Sequence, residues 1–288
     1  MAKLNRKFIQ IITTIGTNSY INGFLTGTIY KGKAKQFCVP GLNCYSCPGS
    51  LGSCPIGSLQ AVISSIDYHL SFYVLGIIGL FGSLMGRLVC GWLCPFGFIQ
   101  ELIYKIKSRK FRINGKNPLK YLKYGILIIF VILMPMLVVN QVGIGVPAFC
   151  KYICPAGTLE AGIPLIILNP SLRLALGSIF SWKVFLLVVT IIGSILIYRP
   201  FCRFICPLGA IYGIFNPISL YRLEVAEDKC TKCNRCTRIC KLNIETYKTP
   251  NNPECIRCGD CIKACPTNAI KSNFGIRDRK SVKGLNIR

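Results

Sequence analysis

Histidine is almost missing from this chain: His69 is the only one in 288 residues. That leaves no triad, no haem ligand pair and no histidine-based zinc set, and no glycine-rich nucleotide loop is present either. His69 itself, beside Asp67 and Tyr68 at an expected helix start, reads as an interfacial polar residue. Acids are scarce too, with 10 Asp and Glu against 35 Lys and Arg and a formal net charge of +25. Such a balance often marks nucleic-acid binding, but no groove-reading or single-strand module accompanies it; attraction to anionic membrane lipid explains it more simply. Charge of either sign vanishes from Leu70–Gly86, Tyr124–Cys150 and Val184–Tyr198, runs in the length range of bilayer-spanning helices. With 52% hydrophobic residues and a mean hydropathy of +0.49, the chain reads as an integral, multi-pass membrane protein of the cell membrane.

What the chain has in excess is cysteine, 18 in all. Between Cys230 and Cys265 the spacing C-x2-C-x2-C-x3-C occurs twice. Three thiolates of one tight loop suit three irons of a [4Fe–4S] cube, while the fourth crosses to the other cube. This assigns Cys230, Cys233, Cys236 and Cys265 to one cluster and Cys255, Cys258, Cys261 and Cys240 to a second. Zinc has no use for a third cysteine at that spacing. Cys240 is followed by Lys241 where proline is usual, which costs a turn constraint but no ligand.

The other ten cysteines repeat a phrase. Cys54-Pro55-Ile56-Gly57, Cys94-Pro95-Phe96-Gly97, Cys154-Pro155-Ala156-Gly157 and Cys206-Pro207-Leu208-Gly209 share it, and the last three have a cysteine four residues earlier, at Cys90, Cys150 and Cys202. The pattern indicates an internal duplication of cysteine phrase, spanning helix, cysteine phrase. Proline at a first helical position costs no hydrogen bond. Each phrase is therefore expected to open a helix whose free N–H groups face thiolates and favour negative charge there.

Basic residues set the orientation. Lys105, Lys107, Arg109, Lys110, Arg112, Lys116, Lys120 and Lys123 crowd one acid-free segment, against Lys31, Lys33 and Lys35 on the other side, so the former faces the cytoplasm. Tyr121–Asn140 then leads outward, about Ser181–Tyr198 returns, and the ferredoxin unit from about Tyr221 is cytoplasmic. Phe8–Tyr30 lacks a cleavage site and reads either as a polar first spanning helix or as one broken in two. The apolar stretch Ala161–Asn169 between prolines is too short to span and reads as a half-helix. Trp92 and Trp182 fit interfacial aromatics, Trp92 also being placed to shield the inner cysteines, and Lys183 near an outer helix end fits a snorkelling side chain.

Topology divides the ten cysteines into an inner set, Cys90, Cys94, Cys202 and Cys206, forming one complete [4Fe–4S] ligand group, and an outer set, Cys38, Cys44, Cys47, Cys54, Cys150 and Cys154. Ser50 stands where the repeat calls for a cysteine, and Cys44-x2-Cys47 is its replacement. A fourth cluster is then expected on Cys47, Cys150 and Cys154 with Cys44 or Cys54, leaving Cys38 dispensable. A disulfide on an oxidising face is the competing reading of these six, and buried packing cysteines are the competing reading of the inner four.

The Cys-x3-Cys-Pro phrases followed by a two-cluster ferredoxin resemble the membrane polyferredoxins typified by NapH and the C-terminal half of NosR. Cys38-Val39-Pro40-Gly41 and Asn43-Cys44-Tyr45-Ser46-Cys47-Pro48 are similar to a branch of four-iron–four-sulfur membrane proteins of anaerobic bacteria. The third phrase and the outer cysteines exceed the two phrases usual in NapH-like members. The resemblance implies electron transfer between a quinol or cytoplasmic carrier and a redox partner, often outside the membrane.

The expected architecture is an α-helical polytopic membrane domain with internal duplication over residues 1–220, with about four spanning segments and half-helices. A small α+β ferredoxin-like 2[4Fe–4S] domain over 221–271 and a basic tail over 272–288 follow. The expected function is an electron-transfer subunit of an oxidoreductase complex, without turnover of its own. It would pass electrons from a cytoplasmic low-potential, ferredoxin-like or quinol-linked donor through the clusters to an outer-face redox protein such as a flavoprotein. A transmembrane thiol–disulfide reductase using the outer cysteines and a redox-sensing or assembly protein are the alternatives. Membrane lipid is an expected partner and nucleic acid is not.

Overall fold

The computed structural model describes residues 5–64, 72–113, 117–140, 145–174 and 176–275. His69, Asp67, Tyr68 and the last part of the basic tail lie outside them.

The first polar stretch breaks in two, as α1 (Arg6–Thr17) and α2 (Ile21–Thr26). Asn18 ends α1, its side-chain amide turned back onto the Thr14 carbonyl at 3.1 Å. The Thr13, Thr14 and Thr17 hydroxyls return to carbonyls four residues earlier, which satisfies them along a helix in apolar surroundings. An irregular segment then carries Cys38 to Cys54, and α3 (Pro55–Ile63) follows.

Next come α4 (Phe72–Met85), α5 (Leu88–Trp92) and α6 (Pro95–Ile103), then the long α7 (Pro118–Leu137). A π-helical stretch, Leu127–Leu133, precedes Pro135 in α7 and loosens the ladder where proline removes a donor. The same device recurs in α8 (Pro155–Leu168), where Thr158–Gly162 is π-helical just before Pro164. Hence the half-helix expected at Ala161–Asn169 is the end of a longer helix that starts immediately after Cys154. The chain continues through α9 (Pro170–Leu174), α10 (Ser178–Leu196), α11 (Pro200–Phe204) and α12 (Pro207–Phe215).

Helices α7 and α10 are long and apolar enough to cross a membrane; α4 and α8 are apolar but shorter. On α10, Phe185, Val188, Val189 and Ile192 face outward, and on α7 so do Ile128, Ile129, Ile132 and Met136. In water this would be a large uncovered apolar surface; lipid is its natural solvent.

The ferredoxin unit is closed by β1 (Tyr221–Val225) and β2 (Ile270–Phe274), antiparallel with Tyr221 opposite Phe274 and Val225 opposite Ile270. Between them lie α13 (Arg235–Ile239) and α14 (Asp260–Ala264). Its two cysteine loops turn alike: Lys232 (φ 53°) and Asn234 (φ 58°) in the first match Arg257 (φ 52°) and Gly259 (φ 82°) in the second. Left-handed residues at the second and fourth positions after the leading cysteine curl each loop tightly enough to turn three thiols inward.

One core joins the cysteine phrases. Ile56, Val89, Phe96, Phe149, Phe201, Leu208 and Tyr212 pack with Cys54, Cys90, Cys94, Cys154, Cys202 and Cys206. Phe96, two residues after Cys94, meets Phe201, one before Cys202, edge-to-face at 5.2 Å.

Candidate iron–sulfur sites

The helix-opening role of the phrase is visible four times over. Cys54, Cys94, Cys154 and Cys206 are all extended N-caps with ψ of 132°, 115°, 109° and 115°, each followed by proline at the first helical position. Gly97 N–H donates to Cys94 Sγ and Gly209 N–H to Cys206 Sγ, both at 3.4 Å. A backbone amide at a helix start is thus aimed at each of these sulfurs.

In the ferredoxin unit the crossed grouping emerges from the fold. Cys230, Cys233, Cys236 and Cys265 line one small cavity, the distal site, and Cys240, Cys255, Cys258 and Cys261 line another, the proximal site, each of about 20 Å³. Cys236 and Cys261 share a core with Cys255 and Cys265, so the two sites are neighbours. Burial pushes the Cys258 and Cys261 thiols up to about 12, so both must lose their protons to ligate iron. Cys233 is exposed and differs: the Arg235 backbone amide and the Thr231 hydroxyl hold its thiol below the ordinary range.

The inner set is buried as a group. Gln100 Nε2 donates to Cys202 Sγ at 3.1 Å. Two arginines bind the halves together by exchange. Arg87, three residues before Cys90, donates to the Cys202 carbonyl at 3.1 Å, and Arg199, three before Cys202, donates to the Cys90 carbonyl. Their outward sides meet Glu254 at 2.8 Å and Glu101 at 2.9 Å. Glu254 also holds Lys123 and Glu101 also holds Arg6, all buried. Sequence reasoning missed this frame, although Arg-x2-Cys-x3-Cys-Pro written twice, at Arg87 and Arg199, was its signal.

The outer residues divide. Cys44, Cys54, Cys150 and Cys154 line one cavity of about 330 Å³. Cys47 stands outside it with its thiol toward Asn18 Oδ1 at 3.7 Å, and Cys38 turns to the Ser53 and Ser58 hydroxyls, each at 3.4 Å. Where the repeat ranked Cys47 first, the fold therefore seats Cys44 and Cys54 together. The cause is Glu160, whose carboxylate accepts the Cys44 N–H at 2.7 Å and draws that residue to α8. Lys183, read as a snorkelling side chain, also lines the cavity.

The four groups lie in series. A Cβ on Gly91, beside Cys90, would fall 2.3 Å from the Ile256 carbonyl oxygen in the loop between Cys255 and Cys258. Trp92 Nε1 donates to the Arg257 carbonyl in the same loop at 3.0 Å. On the far side, a Cβ on Gly41 would fall 2.9 Å from Cys94 Cα, and Leu42 O lies 4.0 Å from Cys94 Sγ. Leu42 lines the outer cavity two residues before Cys44, a reach of at most about 7 Å along the chain. The loop carrying Gly41 and Leu42 thus bridges from Cys94 to the outer cavity.

The donor sets fit [4Fe–4S] clusters. Four cysteines ring each cavity of the ferredoxin unit and the outer set, and among the described residues no Cys, His, Asp or Glu group converges closely enough for a single metal ion. At the inner set Arg87 Nε and Arg199 Nε are buried without a hydrogen-bond partner among the described residues, a surplus of positive donors that suits a negatively charged group.

A 4Fe-4S binding domain model matches residues 66–114, 123–163 and 179–221, and a second 4Fe-4S binding domain model matches 250–271. An uncharacterized protein of Methanocaldococcus jannaschii is 30% identical over 203 residues, covering 68% of this chain and 68% of the relative. The ferredoxin-type protein NapH of Haemophilus influenzae is 25% identical over 213 residues, covering 68% and 65%. The regulatory protein NosR of Stutzerimonas stutzeri is 28% identical over 216 residues, 69% of this chain and 27% of the relative. The chain belongs to the NapH/NosR-type polyferredoxins. As a polyferredoxin with 4Fe-4S binding domains it is an iron–sulfur, ferredoxin-type electron-transfer protein, and its cysteines accommodate multiple [4Fe–4S] clusters. No solved structure matches the chain.

Proposed function

We propose that this polyferredoxin is a four-site electron conduit across a membrane, linking a cytoplasmic low-potential carrier to a redox protein at the outer face. The observation that carries the reading is the serial contact: the Ile256 carbonyl against Gly91, then Leu42 between Cys94 and the outer cavity. [4Fe–4S] clusters bound at the distal, proximal, inner and outer sets supply one-electron transfer.

The residues prepare each stage. Exposed Cys233 marks where an external carrier approaches, and Lys229, Lys232, Arg235 and Arg238 around it favour an acidic one. Burial of the inner set excludes water, and the Arg87–Glu254–Lys123 group fixes the ferredoxin unit against α7. At the end of the conduit, exposed Tyr45 and half-buried Lys183 line the outer cavity where an acceptor can approach.

The orientation has support from the same contacts. Arg112 donates to the Arg238 carbonyl at 2.8 Å, so the basic segment expected in the cytoplasm lies on the ferredoxin side. Three segments matched by one family model support the internal repeat. A multi-pass arrangement follows if α4 and α8, apolar but short, complete the crossing together with α7 and α10.

The test is an iron and acid-labile sulfide count on anaerobically purified protein, with about sixteen irons expected for four clusters. About twelve irons with a reducible bridge among the outer cysteines would favour a thiol–disulfide reductase instead. Orientation is checked on intact cells: an impermeant thiol reagent should label a cysteine placed near Lys33 and miss one near Lys110. The reverse pattern would invert the path.

A further inference from the structure

The repeated phrase runs three residues beyond its cysteine, proline and glycine. Six places after Cys54, Cys94, Cys154 and Cys206 stand Gln60, Gln100, Glu160 and Tyr212, each directly behind a leucine or isoleucine. Gln60, Gln100 and Tyr212 are fully buried, and so is one carboxylate oxygen of Glu160. A polar group buried at the same place in all four copies is a cost that packing alone does not explain. We infer that this side chain is a positioning residue, reaching from the helix of one half to the cysteine set of the other; this rests on reading the inner and outer four cysteines as cluster ligands.

Residues three apart share a helix face, and side chains lean toward the helix start. A long side chain at the seventh place therefore reaches back over the glycine at the fourth. At the outer set a Cβ on Gly57 would lie 4.0 Å from Cys150 Sγ, and Gln60 Oε1 accepts the Cys150 N–H at 3.4 Å. Gln60 Nε2 is held by the Phe130 carbonyl at 3.0 Å, which turns the amide oxygen to that task. Likewise a Cβ on Gly157 would lie 3.6 Å from Cys44 Sγ, and Glu160 accepts the Cys44 N–H at 2.7 Å. Cys44 thus receives from the second half what Cys150 receives from the first.

At the inner set Gln100 Nε2 donates to Cys202 Sγ at 3.1 Å, again from the first half to the second. Tyr212 completes the return, its hydroxyl donating to the Pro40 carbonyl at 3.0 Å, next to Gly41, which lies against Cys94. Gln100 is the sharpest case. Its Oε1 is buried without a hydrogen-bond partner among the described residues, so an apolar side chain of the same size would fill the place at lower cost. What the amide adds is an N–H on a ligand sulfur, and hydrogen bonds to the sulfurs set a cluster's potential.

The test uses the whole protein, purified anaerobically in detergent and followed by EPR during redox titration. The inner-set signal is the one lost, with about four irons, in Cys206→Ser, and the outer-set signal the one lost in Cys154→Ser. Gln100→Met, close in size but without a donor, should keep wild-type iron and lower the midpoint potential of the inner signal alone. Gln100→Glu, equal in size and also without the amide donor, should lower it too, and serves if the methionine variant loses iron. Gln60→Met should alter the outer signal and leave the inner potential in place. An inner potential unmoved in a Gln100 variant that keeps its iron, or all signals moving together, overturns the positioning role and leaves the ligand sets standing. Loss of inner iron in both Gln100 variants also overturns it, making Gln100 a packing residue. No signal tied to Cys206 or to Cys154 overturns the ligand sets and the positioning role together.

Discussion

Gly91→Ala tests the junction on which the serial reading depends. The new methyl carbon would be built 2.3 Å from the Ile256 carbonyl oxygen, and its two nearest neighbours are backbone atoms that cannot swing aside. An ordinary contact begins near 3.4 Å, so the ferredoxin loop must retreat by about 1 Å, a displacement typical of overpacking that costs ~1–3 kcal/mol. If that cost falls on docking between the ferredoxin unit and the inner set, the docked population drops by roughly 5–150-fold. The ligands themselves are untouched, so the iron count should stay at the wild-type value. The assay is the magnetic interaction between the reduced proximal and inner centres, read by pulsed EPR, together with the rate at which electrons supplied to the ferredoxin unit reach the inner centre. Both should fall. An unchanged interaction at full iron content would refute the placement of the Cys255–Cys258 loop against Cys90.

Four further outcomes follow from named contacts. Cys54→Ser and Cys154→Ser should each lose about four irons, whereas Cys47→Ser and Cys38→Ser should keep full iron; iron lost in Cys47→Ser and kept in Cys54→Ser would restore the ligand set that the repeat alone suggests. Glu254→Gln strands Arg87 and Lys123 in the interior and should destabilise docking by about 3–5 kcal/mol, seen as earlier protease cleavage between α12 and β1. Arg87→Gln and Arg199→Gln should perturb the same inner-set EPR signal, because each arginine serves the other half's cysteine carbonyl; effects on different signals would break the exchange. In iron-stripped protein near neutral pH, iodoacetamide should modify Cys233, held below the ordinary thiol range, well before Cys258 and Cys261, pushed up to about 12. Equal rates would refute the environments assigned to these loops.

Legibility followed the locality of the forces. The ferredoxin unit could be read because its ligands lie within two tight loops, whose geometry is set by residues a few positions apart, such as Lys232 with Asn234 and Arg257 with Gly259. The Cys-Pro helix starts could be read for the same reason. The segment from Cys38 to Cys54 could not. It has no period, and its shape is dictated from afar: Glu160 holds the Cys44 amide, Tyr212 donates to the Pro40 carbonyl at 3.0 Å, and Asn18 faces the Cys47 thiol. Aligning Ser50 with Cys150 treated that segment as a damaged copy of a helix end, and so promoted Cys47 over the pair the fold assembles. Pro164 misled in a similar way, since the π turn before it lets α8 continue where a proline would otherwise mark an end.

The buried charges show why the inner set needs a frame that the ferredoxin sites do not. The distal ferredoxin site keeps Cys233 at the surface, where water offsets cluster charge. The inner cysteines have no such recourse, enclosed by Phe96, Phe201, Leu208 and Tyr212. Negative charge placed there must be met by fixed positive groups, and backbone amides at two helix starts supply part of that requirement. Arg87 and Arg199 supply the rest, but a buried guanidinium is itself costly unless paired. Glu254 and Glu101 pair them. Because Glu254 belongs to the ferredoxin unit and Glu101, which follows the Cys94 phrase, pairs with Arg199 before Cys202, neutralising the inner set requires both cysteine phrases and the docked ferredoxin together. The electrostatic requirement of one site thereby enforces the contact that sets the ferredoxin unit against it.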